Sequence, residues 1–124
     1  MDQSQLSVGV DIVEMARMQR ALDRWGERIL RHVFTDGEVA YCRGRLPELA
    51  ARFAAKEAIS KALGTGMVGI SWVELEVLVD ERGKPLVKLH GRALKRAQEL
   101  GLKHWAISLS HSTDNAVAFV VATR

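Results

Sequence analysis

Residues 50–62 read Ala-Ala-Arg-Phe-Ala-Ala-Lys-Glu-Ala-Ile-Ser-Lys-Ala, and no other stretch restricts the fold as strongly. Six alanines, with Phe53 and Ile59, make a strong helix former that is thin on most sides, so other elements can pack closely around it. Pro47 opens the helix, since its fixed φ suits a first turn, and Gly64-Thr65-Gly66 ends it after Leu63. Yet this slim helix carries Arg52, Lys56, Glu57 and Lys61. Arg52 and Lys56 are four apart, as are Glu57 and Lys61, so each pair shares a face.

Around this helix the pattern alternates between periods of two and 3.6. Residues 7–13 are β-branched and short, and predict a first strand. From about Val13 to Val33 the spacing is helical, with Met15, Leu22, Trp25 and Ile29 as the apolar stripe and Trp25 facing the core; Gly26 marks a break. Thr35-Asp36-Gly37-Glu38 reads as a turn or capping box. Trp72 to Val79 alternates, with Val73, Leu75, Val77 and Val79 on one face and Glu74 and Glu76 on the other. Asp80 to Gly83 turns the chain, and residues 86–89 return it as a hairpin partner. Residues 91–100 form a short amphipathic helix, and residues 105–110 and 116–121 two further strands. That order predicts an α+β domain spanning 1–124, a mainly antiparallel sheet packed on the long alanine-rich helix.

Length and balance exclude several classes. At 124 residues the chain suits one domain, and its 48% apolar content excludes disorder. Cys42 is the only cysteine, which removes any disulfide framework or multi-thiolate zinc site and fits a reducing compartment. No apolar run reaches the roughly 20 residues a membrane span needs, and the first residues lack a basic signal-peptide start, so a soluble cytoplasmic protein is expected. The net charge of +3 is too small for a nucleic-acid binder, and no aromatics interleave the arginines.

Charge placement says more than net charge. Arg17, Arg20, Arg24, Arg28 and Arg31 recur at steps of three and four, within an arc of roughly 80° on one helix. A solvated face is the plain reading. Lysine would serve solubility equally, whereas the planar guanidinium suits carboxylates and phosphates, so the sharper reading is a docking surface for an acidic partner.

The chemistry centres on Asp11 and Glu57. Glu57 and Lys61 have the orientation of an intrahelical ion pair, which is one reading of them. The other joins Glu57 to Asp11 at the end of the glycine-containing first strand. Two hard carboxylates are too few for a closed cage and suit Mg²⁺ completed by phosphate and water, with Lys61 on the same phosphate oxygens. No P-loop or GxGxxG is present. His111 reads first as a turn residue, Ser110 and Ser112 lack a nucleophile elbow, and Cys42 reads as structural.

Five segments in order now resemble one family. They are Gly9-Val10-Asp11-Ile12-Val13-Glu14-Met15-Ala16-Arg17, Phe34 to Glu38, Arg52 to Gly66, Gly83-Lys84-Pro85, and Ile107 to Ser112. Together they cover nearly the whole chain and are similar to the holo-[acyl-carrier-protein] synthases, the small class of 4′-phosphopantetheinyl transferases. The resemblance implies transfer of phosphopantetheine from coenzyme A to a serine of an acyl carrier protein, releasing adenosine 3′,5′-bisphosphate, in support of fatty acid or polyketide biosynthesis. It makes Asp11 and Glu57 the Mg²⁺ ligands, and Glu57 and Lys61 the catalytic residues. It places Arg52, Lys56, Lys61, Gly64, Pro85 and His111 on coenzyme A, and gives Arg17, Arg20 and Arg24 the carrier as partner. It also implies a homotrimer with active sites shared between neighbours. Larger relatives carry another acid where Val13 stands here, which leaves that coordination position to water. A noncatalytic module that binds acidic proteins through the arginines alone is the competing reading.

Overall fold

The computed structural model describes residues 5–124. β1 (Leu6–Glu14) leads into α1 (Met15–Trp25), α2 (Glu27–Val33), α3 (Asp36–Cys42) and the long α4 (Leu46–Ala62). A hairpin of β2 (Leu75–Val79) and β3 (Pro85–Leu89) follows, then α5 (Gly91–Leu100), β4 (His104–His111) and β5 (Asn115–Thr123). The expected α+β class and antiparallel pairing are what forms, but as two sheets: a three-stranded β1-β5-β4 sheet and the separate β2-β3 hairpin. No helix among the described residues is long and apolar enough to cross a membrane.

The alanines decide how α4 sits. Ala50, Ala54, Ala55 and Ala58 are fully buried, with the three-stranded sheet on one side of the helix and the hairpin on another. β1 runs antiparallel to α4 and is pinned at one end by Ser7 Oγ, which donates to the Ala62 carbonyl at 2.5 Å. Two strand residues advance about 6.8 Å and four helical residues about 6 Å, so the two elements stay in step. Ser7 meets Ala62, Gly9 meets Ala58, and Asp11 arrives beside the turn that carries Glu57. The face of β1 turned away from α4 shows Val8, Val10 and Ile12, each more than half exposed, beside Phe119 of β5.

Several local expectations are refined or corrected. The break expected at Gly26 within 13–33 forms as a full division into two helices, because Gly26 takes a φ of +50° that ends the first and starts the second. Trp25, expected in the core, lies at that break and is 46% exposed. Of the two readings of Thr35 to Glu38, the capping box forms (Glu38 N to Thr35 Oγ1 3.2 Å, Thr35 N to Glu38 Oε1 2.8 Å), and it opens the helix α3. The strand expected from Trp72 starts only at Leu75, since residues 72–74 make a 3₁₀ turn held by a second capping box between Ser71 and Glu74. Glu74 also accepts from Ala93 N at 2.9 Å, which caps α5, so this acid is a joint between elements and not the outward face of a strand.

Candidate active site

Asp11 and Glu57 converge at the edge of β1 and α4. Lys61 does not pair with Glu57 along the helix; its ammonium turns to β1 and donates to Asp11 Oδ1 at 3.1 Å and to the Val10 carbonyl at 3.0 Å. Asp11 Oδ2 is buried without a hydrogen-bond partner among the described residues. Burial, and then the neighbouring charge of Asp11, push the Glu57 carboxyl above the usual carboxylate range; Arg17 and Lys61 pull it part of the way back.

Two crowded carboxylates, one with an orphaned buried oxygen, form an arrangement that a cation relieves. Among the described residues no group of three or more His, Cys, Asp or Glu side chains could hold a metal alone. The pair therefore fits a hard, oxygen-seeking ion such as Mg²⁺ that takes its remaining ligands from water and phosphate. Val13, where a further acid would stand in larger relatives, is buried and apolar.

Lys56 is a correction. Its side chain is completely buried, and its ammonium donates to Glu38 Oε1 at 2.7 Å, to the Leu75 carbonyl at 2.9 Å and to the Trp72 carbonyl at 3.2 Å. Three donors meet three acceptors, so Lys56 has nothing left for coenzyme A. Glu38 in turn accepts from Val77 N at 2.8 Å, so the pair binds α3 and α4 to the hairpin.

Of the expected nucleotide residues, Arg52, Pro85 and His111 line one groove of about 190 Å³, together with Tyr41, Pro47, Glu48, Ala51, Gly83 and Leu109. Gly64 lies elsewhere, in a cleft with Arg96 and Leu100. Asp11, Glu57 and Lys61 line no part of the groove. Arg52 and Glu57 are five residues apart, about 140° around α4, so one chain presents the acid pair and the groove on different sides of its central helix. Cys42 is buried and its thiol is pushed up to about 11, first by burial, which agrees with a structural role.

Arg17, Arg20 and Arg24 share one exposed face of α1, within about 60°. Arg28 and Arg31 stand beyond the break, and Arg31 lies 3.7 Å from Glu27. Arg17 links this face to the acid pair, for its guanidinium lies over the Phe53 ring at 5.7 Å and acts on Glu57. Sequence reasoning missed the apolar groove beside it, lined by Trp25, Ile29, Phe53 and Trp72, with the last two rings stacked 5.0 Å apart. The exposed placement of Trp25 created it, and only the glycine after Trp25 hinted at that.

Comparison with known proteins identifies the family. Residues 7–120 match the model of the 4′-phosphopantetheinyl transferase superfamily. A holo-[acyl-carrier-protein] synthase of Herpetosiphon aurantiacus is 52% identical over 123 residues, covering 94% of this chain and 97% of the relative. The crystal structure of the Neisseria meningitidis holo-[acyl-carrier-protein] synthase superposes with a TM-score of 0.86 at 36% identity, covering 95% of this chain and 98% of that one. The Helicobacter pylori holo-[acyl-carrier-protein] synthase, solved in complex with coenzyme A, superposes with a TM-score of 0.85 at 28% identity, covering 94% and 99%.

Proposed function

The chain belongs to the 4′-phosphopantetheinyl transferase superfamily, among the holo-[acyl-carrier-protein] synthases, and we propose that Asp11, Glu57 and Lys61 carry its reaction. It is a transferase that moves phosphopantetheine from coenzyme A to an acyl carrier protein. The finer reading is a Mg²⁺-dependent transfer to a carrier serine that releases adenosine 3′,5′-bisphosphate and supports fatty acid or polyketide synthesis. The whole of 1–124 acts as one transferase domain, and its lone buried thiol suits a reducing compartment such as the cytoplasm.

The observation that carries this reading is the crowded pair of acids, only partly offset by Lys61 and Arg17, with the orphaned Asp11 oxygen beside it. Asp11 and Glu57 would hold Mg²⁺, which when bound neutralises charge on the coenzyme A diphosphate. The serine oxygen bonds to the β-phosphorus as that phosphorus loses its bond to the adenosine-bearing phosphate. Lys61, half exposed, directs its remaining hydrogen at the charge growing on the phosphate oxygens. Glu57 takes the serine proton through an intervening water, because a carboxylate that also holds Mg²⁺ is a weak base on its own. Arg52 and His111 hold the adenosine phosphates, with Pro85 against the nucleotide, and Gly64 gives the backbone close approach.

A homotrimer with shared sites is supported by two features of the single chain. The acid pair and the nucleotide groove face different sides of α4, so rotated copies can bring one chain's pair to a neighbour's groove. The row of Val8, Val10, Ile12 and Phe119 is the apolar face that such an assembly would cover.

Incubating the chain with apo carrier protein, coenzyme A and Mg²⁺ should add one phosphopantetheine group to the carrier, read by intact-mass spectrometry, and EDTA should stop it. No mass gain across several carriers, with or without EDTA, would remove the proposal.

A further inference from the structure

We infer that Tyr41 is a positioning residue for coenzyme A: its ring holds the Arg52 guanidinium so that it meets the phosphate monoester on the ribose. This rests on the nucleotide reading of the Arg52 groove. If the acid pair takes the diphosphate of coenzyme A, the ribose monoester is the adenosine phosphate left for that groove.

Arg52 is an unusual side chain. It is 4% exposed, and its Nε is buried without a hydrogen-bond partner among the described residues. Among the described residues its side chain makes one protein hydrogen bond, a long one from Nη1 to the Glu48 carbonyl at 3.3 Å. An arginine in that state keeps most of its fork for something that is not protein, and its place in the wall of the groove aims it at a ligand. A long flexible side chain with so few hydrogen bonds needs another restraint. The structure supplies it in the Tyr41 ring, whose centroid lies 4.4 Å from the guanidinium carbon.

The charges around the groove leave Arg52 available. Arg45 also lies over Tyr41, at 5.3 Å, but it donates to the Tyr41 carbonyl at 2.7 Å and to the Cys42 carbonyl at 2.9 Å. It therefore closes the C-terminal end of α3. The Glu48 carboxylate, which would repel a phosphate, lies 3.9 Å from the Arg45 guanidinium, so those two charges offset each other. Arg52 and His111 remain as the groups for the anion. Tyr41 itself is 37% exposed at the groove wall, so its substitution leaves the core intact.

The test compares coenzyme A with 3′-dephospho-coenzyme A as donor. Wild type should prefer coenzyme A through KM, and Arg52→Ala should erase the preference. Tyr41→Leu should raise KM for coenzyme A roughly tenfold, equivalent to about 1.4 kcal/mol. The same variant should leave KM for the dephospho donor and the thermal midpoint near their wild-type values, and Tyr41→Phe should restore the preference. A series of increasingly fluorinated phenylalanines at position 41 keeps the ring's shape while draining its π face, and should raise KM for coenzyme A stepwise. Wild type without any preference overturns the nucleotide reading and this inference together. A preference intact in Tyr41→Leu, or a flat fluorination series, overturns the role of Tyr41 alone.

Discussion

A side-chain carbon placed on Gly9 would lie 1.9 Å from the carbonyl oxygen of Ala58. Nothing can move aside cheaply, because the obstacle is the backbone of the central helix. Gly9→Ala must therefore lift β1 from α4 and carry Asp11 away from Glu57. Overpacking of this kind costs about 3 kcal/mol, or roughly 10 °C in Tm for a domain of this size. Calorimetry should show that fall, and electron paramagnetic resonance titration with Mn²⁺ in the presence of coenzyme A should show weakened metal binding in the molecules that remain folded.

Glu57 should oppose stability in the metal-free chain. Burial and Asp11 raise its proton affinity on folding, so its favourable contribution exists below the unfolded pKa of about 4.3 and is lost as pH rises through the raised value. At neutral pH the ionised acid is a cost. Glu57→Gln should raise Tm in EDTA at pH 7 by roughly 2 to 4 °C, the attenuated effect of a repulsion screened by water. Turnover should be lost in the same variant. The Tm difference between the two proteins should shrink toward pH 4, and a Glu57→Gln variant less stable than wild type at pH 7 would contradict the crowding of the two acids.

Lys56→Met separates the structural role of Lys56 from binding. Removing one partner leaves Glu38 as a buried charge facing an apolar side chain, which costs about 3–5 kcal/mol, or on the order of 10–20 °C in Tm. At a temperature where the variant is folded, its KM for coenzyme A should match wild type. A raised KM there would return Lys56 to the ligand.

The sequence announced α4, Asp11, Glu57 and the Thr35–Glu38 box because each is a local pattern: alanine runs, a glycine before an acid, a capping residue three before its partner. It could not announce that Lys61 would leave Glu57 for Asp11, since that choice depends on β1 lying antiparallel and in step along the helix. The enclosure of Lys56 is hidden from the sequence for a related reason. On a helix wheel this lysine resembles Arg52, and only the approach of Glu38 and the hairpin carbonyls shows that its charge is enclosed. The two sheets were read as one because alternation in a strand fixes its faces but not its neighbours.

Shared sites can be read by complementation. Glu57→Gln leaves the Arg52 groove intact, and Arg52→Ala leaves the acid pair intact. At a coenzyme A concentration near the wild-type KM, Glu57→Gln should be nearly inactive and Arg52→Ala strongly slowed. Mixing them under conditions that exchange subunits should restore a fraction of wild-type turnover, because some interfaces join an intact pair to an intact groove. Size-exclusion chromatography with light scattering should give three times the chain mass. Absence of any recovered turnover in a demonstrably mixed assembly would place each complete site within one chain.

The arginine face makes the last prediction, and the break at Gly26 sharpens it. Arg17, Arg20 and Arg24 stay on one exposed face of α1, whereas Arg31 sits on α2 beside Glu27. Charges that steer an acidic helix act over about a Debye length, roughly 10 Å at 0.1 M salt and 3 Å at 1 M. Reversal to glutamate at Arg17, Arg20 or Arg24 should slow carrier association at low salt by about tenfold or more, with the deficit shrinking as salt rises. Arg31→Glu should change it much less. Arg17 should stand apart from the other two, because it also acts on Glu57 and lies over Phe53, so its reversal should lower kcat as well as association. Stopped-flow measurements across a salt series would separate these effects, and equal, salt-independent losses at all four positions would deny this face to the carrier.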